Sequence, residues 1–239
     1  MNYSTKVLFL VLSLFSFQLK ADNFLTNTTN NHGMVGLINM PTARIYDEGS
    51  FAFSAYGGSP DQKITLASSP FDWLEASVFY TNIKDKPYCE ADDYFCSQDY
   101  KDKGFNLKIK IKEEDRLPAI AIGINDFGGT GLYGSEYIVG SYGIENMDFH
   151  FGLGWGAYNG TKDFRNPFTI LDNPFKERPL YSKGEGGELE FSKYFSNEDV
   201  SAFFGISYLH NNKMLFKLER DTTLTPGLIG YEKSSIPIS

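Results

Sequence analysis

Phe105-Asn106-Leu107-Lys108-Ile109-Lys110-Ile111-Lys112 places an apolar side chain at every odd position and a polar one at every even position. That period of two describes an extended strand with one apolar and one wet face. After Glu113-Glu114-Asp115-Arg116 and Pro118, Ile120, Ile122 and Ile124 alternate with Ala121, Gly123 and Asn125, so a second strand follows the first. Asp126 to Gly134 reads as a glycine-rich turn, and Glu136 to Ser141 resumes the extended pattern. Further on, Phe149, Phe151, Leu153 and Trp155 alternate with His150, Gly152, Gly154 and Gly156. Large apolar residues facing one way and small or polar ones the other suit a strand between lipid and a crowded lumen.

Working outward, strands are expected at Ser50–Tyr56, Lys63–Ala67, Trp73–Thr81, Glu188–Tyr194, Ser201–Leu209 and Met214–Arg220. With the four above, this makes about ten antiparallel strands, many near the length a tilted membrane strand needs. The two long polar inserts, Asn82–Asp102 and Tyr158–Gly184, follow the third and seventh strands, which puts both on one side of the sheet. A soluble sandwich has no reason to sort its loops by side, whereas outer-membrane barrels have short turns at one rim and long loops at the other. The expected fold is therefore all-β, an antiparallel outer-membrane-type barrel over residues 50–220. No terminal aromatic strand follows Arg220, so residues 221–239 read as a tail or the start of a further strand. The sheet is expected to be incomplete or open, in a partial chain. The alternative is a soluble periplasmic or secreted β-sandwich that binds or acts on carbohydrate.

The amino terminus reads as an export signal: Lys6, an apolar run from Val7 to Phe17, then a short polar segment closed by Ala21. The run is shorter than the roughly 20 apolar residues of a spanning helix. No cysteine follows it to carry a lipid. Residues 22–49 read as an irregular arm. A formal charge of −8 with no basic cluster excludes a nucleic-acid partner.

Several stretches resemble the YjbH family of outer-membrane exopolysaccharide proteins. They are Gly36-Leu-Ile-Asn-Met-Pro-Thr-Ala-Arg44 with Gly49, Pro70-Phe-Asp-Trp-Leu-Glu75, Leu117 to Tyr137, and Leu153-Gly-Trp-Gly156. The resemblance covers Gly36 to about Arg220. It implies a barrel in the outer membrane of a Gram-negative bacterium, with lipid, a polysaccharide and other proteins of the exopolysaccharide system as partners. Family members are usually much longer and some look like lipoproteins; this chain departs on both counts.

Candidate sites are few. Asp126, Gly128, Gly129, Gly131 and Gly134 suit a tight reversal, the glycines supplying positive backbone angles and Asp126 a side-chain cap. Tyr133, Glu136 and Tyr137 at its exit could contact carbohydrate. Cys89 and Cys96, an even pair in an exported chain, suggest a disulfide closing a short loop. His32, His150 and His210 are too dispersed for a metal site, no cofactor is implied, and no catalytic set stands out among the 30 acidic residues. Trp73, Tyr80, Trp155 and Tyr158 fit either interfacial girdles or a core. If the signal is processed after Ala21, intact-mass measurement of the exported chain finds Asp22 as its first residue; a mature chain starting at Met1 refutes the cleavage.

Overall fold

The computed structural model describes residues 28–58, 61–88, 98–178 and 194–224. Its strands are β1 (Ser50–Gly57), β2 (Asp61–Phe71), β3 (Leu74–Pro87), β4 (Asp99–Lys112), β5 (Ala119–Phe127), β6 (Ser135–Ile144), β7 (Met147–Gly154), β8 (Phe164–Arg165), β9 (Asp199–His210) and β10 (Met214–Arg220). They form one ten-stranded sheet in the order β1-β2-β3-β4-β5-β6-β7-β9-β10, with the short β8 pairing on β9. Among the described residues every pair of neighbouring strands is antiparallel. Among the described residues β1 and β10 do not pair with each other, so the sheet is open. The expected signal segment, the Cys89–Cys96 pair and most of the expected strand at 188–194 lie outside the described residues; β8 is the tenth strand.

Which side chains face which way follows from the period of two. Phe51, Phe53, Ile64, Leu66, Phe105, Ile109, Phe151, Phe204, Phe216 and Leu218 are exposed on one face, Phe51 at 76% and Phe53 at 72%. Asp61, Lys63, Thr65, Glu75, Ser77, Asn106, Lys108, Asn125, Asp148, His150 and Glu219 are buried on the other. The usual soluble arrangement is reversed: the greasy face is outside and the ionisable groups are within.

Glycines opposite aromatic residues let this inner face close up. Phe79 sits across from Gly104, Tyr137 from Gly123 and Phe203 from Gly152. A methyl group on Gly123 would lie 2.1 Å from the Tyr137 ring, and one on Gly152 would lie 2.2 Å from the Phe203 ring. Each ring therefore lies down over its glycine partner, filling the bare strip and covering the ladder beneath it.

The connections divide by rim. At one rim they are 72–73, 113–118, 145–146 and 211–213; at the other, 58–60, 88–98, 128–134 and 155–198. Both long excursions and the glycine-rich turn share the second, long-loop rim. The two described ends of the last excursion are joined by Asn166, whose side-chain amide donates to the Phe195 and Asn197 carbonyls at 2.9 and 2.8 Å. Trp155 stacks on Phe168 and meets Phe195 edge-on nearby. Of the four girdle candidates, Trp73 and Tyr80 are exposed, whereas Trp155 and Tyr158 are buried.

Gly123→Val, which would displace the Tyr137 ring, is expected to lower stability by about 1–3 kcal/mol. Urea unfolding of the reconstituted protein measures it, and an unchanged midpoint would show that the ring is free to move.

Candidate functional site

Residues 28–49 do not extend from the sheet as an arm would. They form no strand beyond the isolated bridges Thr29–Val35 and Gly36–Pro41, yet Met34, Val35, Leu37, Met40, Ala43, Ile45 and Tyr46 are all buried. The segment lies within the curled sheet. Irregular backbone there exposes amides and carbonyls that have no ladder to join, and each needs a partner. Side chains from the inner face provide them.

On β3 and β4, Glu75 and Lys108 sit directly opposite each other with their side chains fully buried. Lys108 Nζ donates to Glu75 Oε2 at 2.8 Å, to the Val35 carbonyl at 2.7 Å and to the Arg44 carbonyl at 2.9 Å. The other Glu75 oxygen accepts the Val35 amide at 2.7 Å. All three ammonium protons are thus engaged, which is the condition for keeping such a pair away from water.

A second clamp sits on β10. Glu219 accepts the amides of Ile38, Asn39 and Met40 at 2.9, 2.8 and 3.1 Å. Two residues earlier on the same face, Lys217 Nζ donates to the Gly36 and Leu37 carbonyls at 2.9 and 2.8 Å. An acid takes the donors of the 36–40 loop, and a base takes its acceptors.

The third clamp is at Arg44, which reaches Asp148 at 2.8 and 2.9 Å and also pairs with Glu114. Beside it, the Ser141 hydroxyl accepts the Ala43 amide at 2.8 Å and lies 2.8 Å from His150 Nδ1, while His150 Nε2 is 3.7 Å from Asp148. These are the residue types of a hydrolase triad. Here, however, the hydroxyl is occupied by the Ala43 amide, Asp148 is held by Arg44, and the group is buried beneath the segment. The arrangement serves to hold residues 43 and 44. Among the described residues no group of His, Cys, Asp and Glu is arranged to hold a metal ion.

The glycine-rich turn folds over the lumen and packs into it. Asp126, Gly128 and Gly131 have positive φ of 55°, 65° and 77°. Gly129 and Gly134 do not, and Gly129 is required for space instead, since a methyl there would lie 1.9 Å from the Asp126 carboxylate. That carboxylate accepts the Tyr133 amide at 3.0 Å across the turn. Leu132 and Tyr133 then join Phe79, Ile83 and Tyr100 in a buried cluster.

This changes the reading of the three residues expected to meet carbohydrate. The Tyr133 hydroxyl donates to Asp61 at 2.8 Å, and its ring lies 3.9 Å from Lys63 Nζ. Burial, followed by the nearby Asp61 charge, pushes its phenol well above the ordinary range. Glu136 forms a two-pronged pair with Arg178 at 2.7 and 2.8 Å and accepts the Phe195 amide, fastening the last excursion to the sheet. Tyr137 lies over Gly123 in the core with Tyr158. With all three buried in internal contacts, none offers a ring or carboxylate to a sugar here.

Sequence reasoning missed the clamps, although the signal was present. Residues 36–44 and Glu75, quoted above as family motifs, are the loop and one of its anchors. Lys108, Lys217 and Glu219 are ionisable groups on the inward phase of otherwise regular strands.

An outward apolar face, a lumen lined by ionisable groups and a chain segment threaded through it define an open-barrel β protein filled by its own N-terminal part. Residues 28–224 match the family described as exopolysaccharide biosynthesis protein YbjH, and the chain belongs to this YjbH family. It is 33% identical over 180 residues to a protein of Escherichia coli strain K12 described as an uncharacterized lipoprotein, YjbH. That match covers 75% of this chain and 26% of the relative, so the chain spans about a quarter of that protein's length. No solved structure matches it.

Lys108→Met strands Glu75 in the lumen and is expected to cost about 3–5 kcal/mol, with the Glu75→Gln/Lys108→Met pair costing less than the two single changes summed. Urea unfolding of the four proteins measures both, and strict additivity would show that the two side chains act independently.

Proposed function

We propose that this chain is the lipid-embedded sheet of a Gram-negative outer-membrane protein that serves exopolysaccharide secretion or assembly without catalysing a reaction. The observation that carries the membrane assignment is the inversion of the sheet: strands with aromatic and aliphatic side chains outside and ionisable side chains inside match the demands of a hydrocarbon surround. The sorting of long and short connections by rim supports the same reading. Family membership supports the exopolysaccharide role, and the lipoprotein relative is consistent with an envelope location.

Within that role, the chain anchors or positions and does not conduct. The ionisable groups that would give a moving polymer weak, repeated contacts are used by residues 28–49. Polymer, lipid and other proteins of the system are therefore partners at the rims and outer surface. The long-loop rim is the face offered to them.

Carbonate extraction and sucrose-gradient fractionation are expected to recover the protein with outer-membrane markers, and unheated samples to migrate differently from heated ones on gels. Recovery as a detergent-free soluble monomer would establish a soluble β-rich carbohydrate module instead. In the membrane, Phe151→Arg should lower stability by about 2–4 kcal/mol if the residue lies near the bilayer midplane. Deleting the gene should change surface polysaccharide yield without loss of glycosyl-transfer activity in extracts.

A further inference from the structure

One part of the outward face is hollow. A groove of about 710 Å³ crosses β5, β6, β7 and β9, within the roughly 300–1,000 Å³ of small-molecule sites. Gly140 leaves its floor bare, standing opposite Ile120 of β5 on one side and Phe151 of β7 on the other. With Ile138, Phe149 and Phe204 they make a lining that is almost wholly apolar.

The protein's own packing does not demand this glycine. A methyl group on Gly123 or Gly152 would collide with a ring, whereas on Gly140 its nearest contact among the described residues would be an ordinary 3.7 Å. Nor is its φ positive. Glycine inside a strand weakens the strand and often marks a place where a ligand approaches closely.

The groove ends at a charged rim. From Ile138 to Tyr142 it follows about 13 Å of strand toward the short-turn rim, on the order of one leaflet of a roughly 30 Å hydrocarbon core. Lys112 lies at that end, placed there by a bulge in β4. Lys110 pairs with Ala121 and the next pair is Lys112 with Ile120, so Lys112 leaves the inward phase of Asn106 and Lys108 for the outward phase of Ile120. Bulges re-aim side chains in this way. Lys112 Nζ donates to the Glu113 carbonyl at 2.8 Å and to Asp115 at 2.7 Å. Among the described residues these take two of its three protons. The Glu113 and Asp115 carboxylates are exposed, and so open a pair contributes little and exchanges partners readily.

Both ends of the groove define its occupant. An apolar channel of leaflet depth suits an acyl chain, the remaining Lys112 donor suits a phosphate oxygen, and the carboxylates beside it suit a cation. An anionic headgroup would satisfy Lys112 but face the two carboxylates with nothing to offer them. We propose that the groove seats one acyl chain of a zwitterionic phospholipid in the leaflet at the short-turn rim, its phosphate bonded to Lys112 and its primary ammonium to Glu113 or Asp115. The inference deepens the membrane reading above and rests on it.

The test reconstitutes the full-length protein in vesicles of equal phosphatidylethanolamine and phosphatidylglycerol, with a trace of either lipid carrying a diazirine in one acyl chain. Mass spectrometry after illumination locates the labelled peptides. The phosphatidylethanolamine probe is expected to label residues 138–151 roughly tenfold more than Ile64 and Leu66 of β2, as one hydrogen bond to a charged group warrants. The phosphatidylglycerol probe should show no such excess. Gly140→Leu fills the groove from the outward side and should abolish the excess, with the urea midpoint unchanged. Lys112→Gln, at the exposed rim, should erase the preference between the probes, and decides the matter alone if Gly140→Leu lowers the midpoint. Even labelling of the outward face, an equal or larger excess from phosphatidylglycerol, or an excess that survives Gly140→Leu in a folded chain would each overturn the proposal. So would a preference that survives Lys112→Gln, or a groove labelled less than β2, as a second copy or another protein seated there would leave it. Those results keep the membrane reading intact, whereas absence of label on every outward strand would remove it together with the proposal.

Discussion

Everything in this molecule answers to one electrostatic requirement: charged groups turned inward by the strand alternation must find partners inside. The buried contact of Lys108 with Glu75 and with the carbonyls of Val35 and Arg44 meets it most completely. An ammonium buried without such partners would be prohibitively costly, and so would the irregular backbone of residues 28–49 without side chains to bond it. Each solves the other's problem. The inner segment is thus as much a part of the barrel's interior as any strand.

The alternation of the strands and the sorting of their connections were legible because both are local patterns. Phe105 to Lys112 could be read residue by residue, and the two long inserts declared their side by counting. The buried state of residues 28–49 was not legible in the same way. Its apolar residues follow no period, since their places are set by Glu219, Lys217 and Arg44, groups far away in the chain. The one accessible hint was chemical: Lys108, Lys217 and Glu219 occupy the inward phase, where a lone charge demands an occupant for the lumen. Tyr133, Glu136 and Tyr137 misled because polar and aromatic residues beside a glycine-rich turn resemble a binding tip. The turn folds inward instead, and its aromatic and acidic side chains become ties.

Glycine has a double use that composition alone could not separate. At Gly128 and Gly131 it permits the left-handed backbone of the reversal. At Gly104, Gly123 and Gly152 it makes room for an aromatic ring from the neighbouring strand. Only the second use depends on register, which is why it came into view with the pairing of the strands and not before.

The reach of the β10 clamp also dictates a timetable. Glu219 bonds to Ile38 across a sequence separation of 181 residues. Contacts so distant close late, because the loop they complete is long. During synthesis the early residues emerge long before their carboxylate partner exists, so the first portion to arrive is the last to settle. Until then Met34, Leu37 and Met40, all buried in the folded protein, remain without their enclosure.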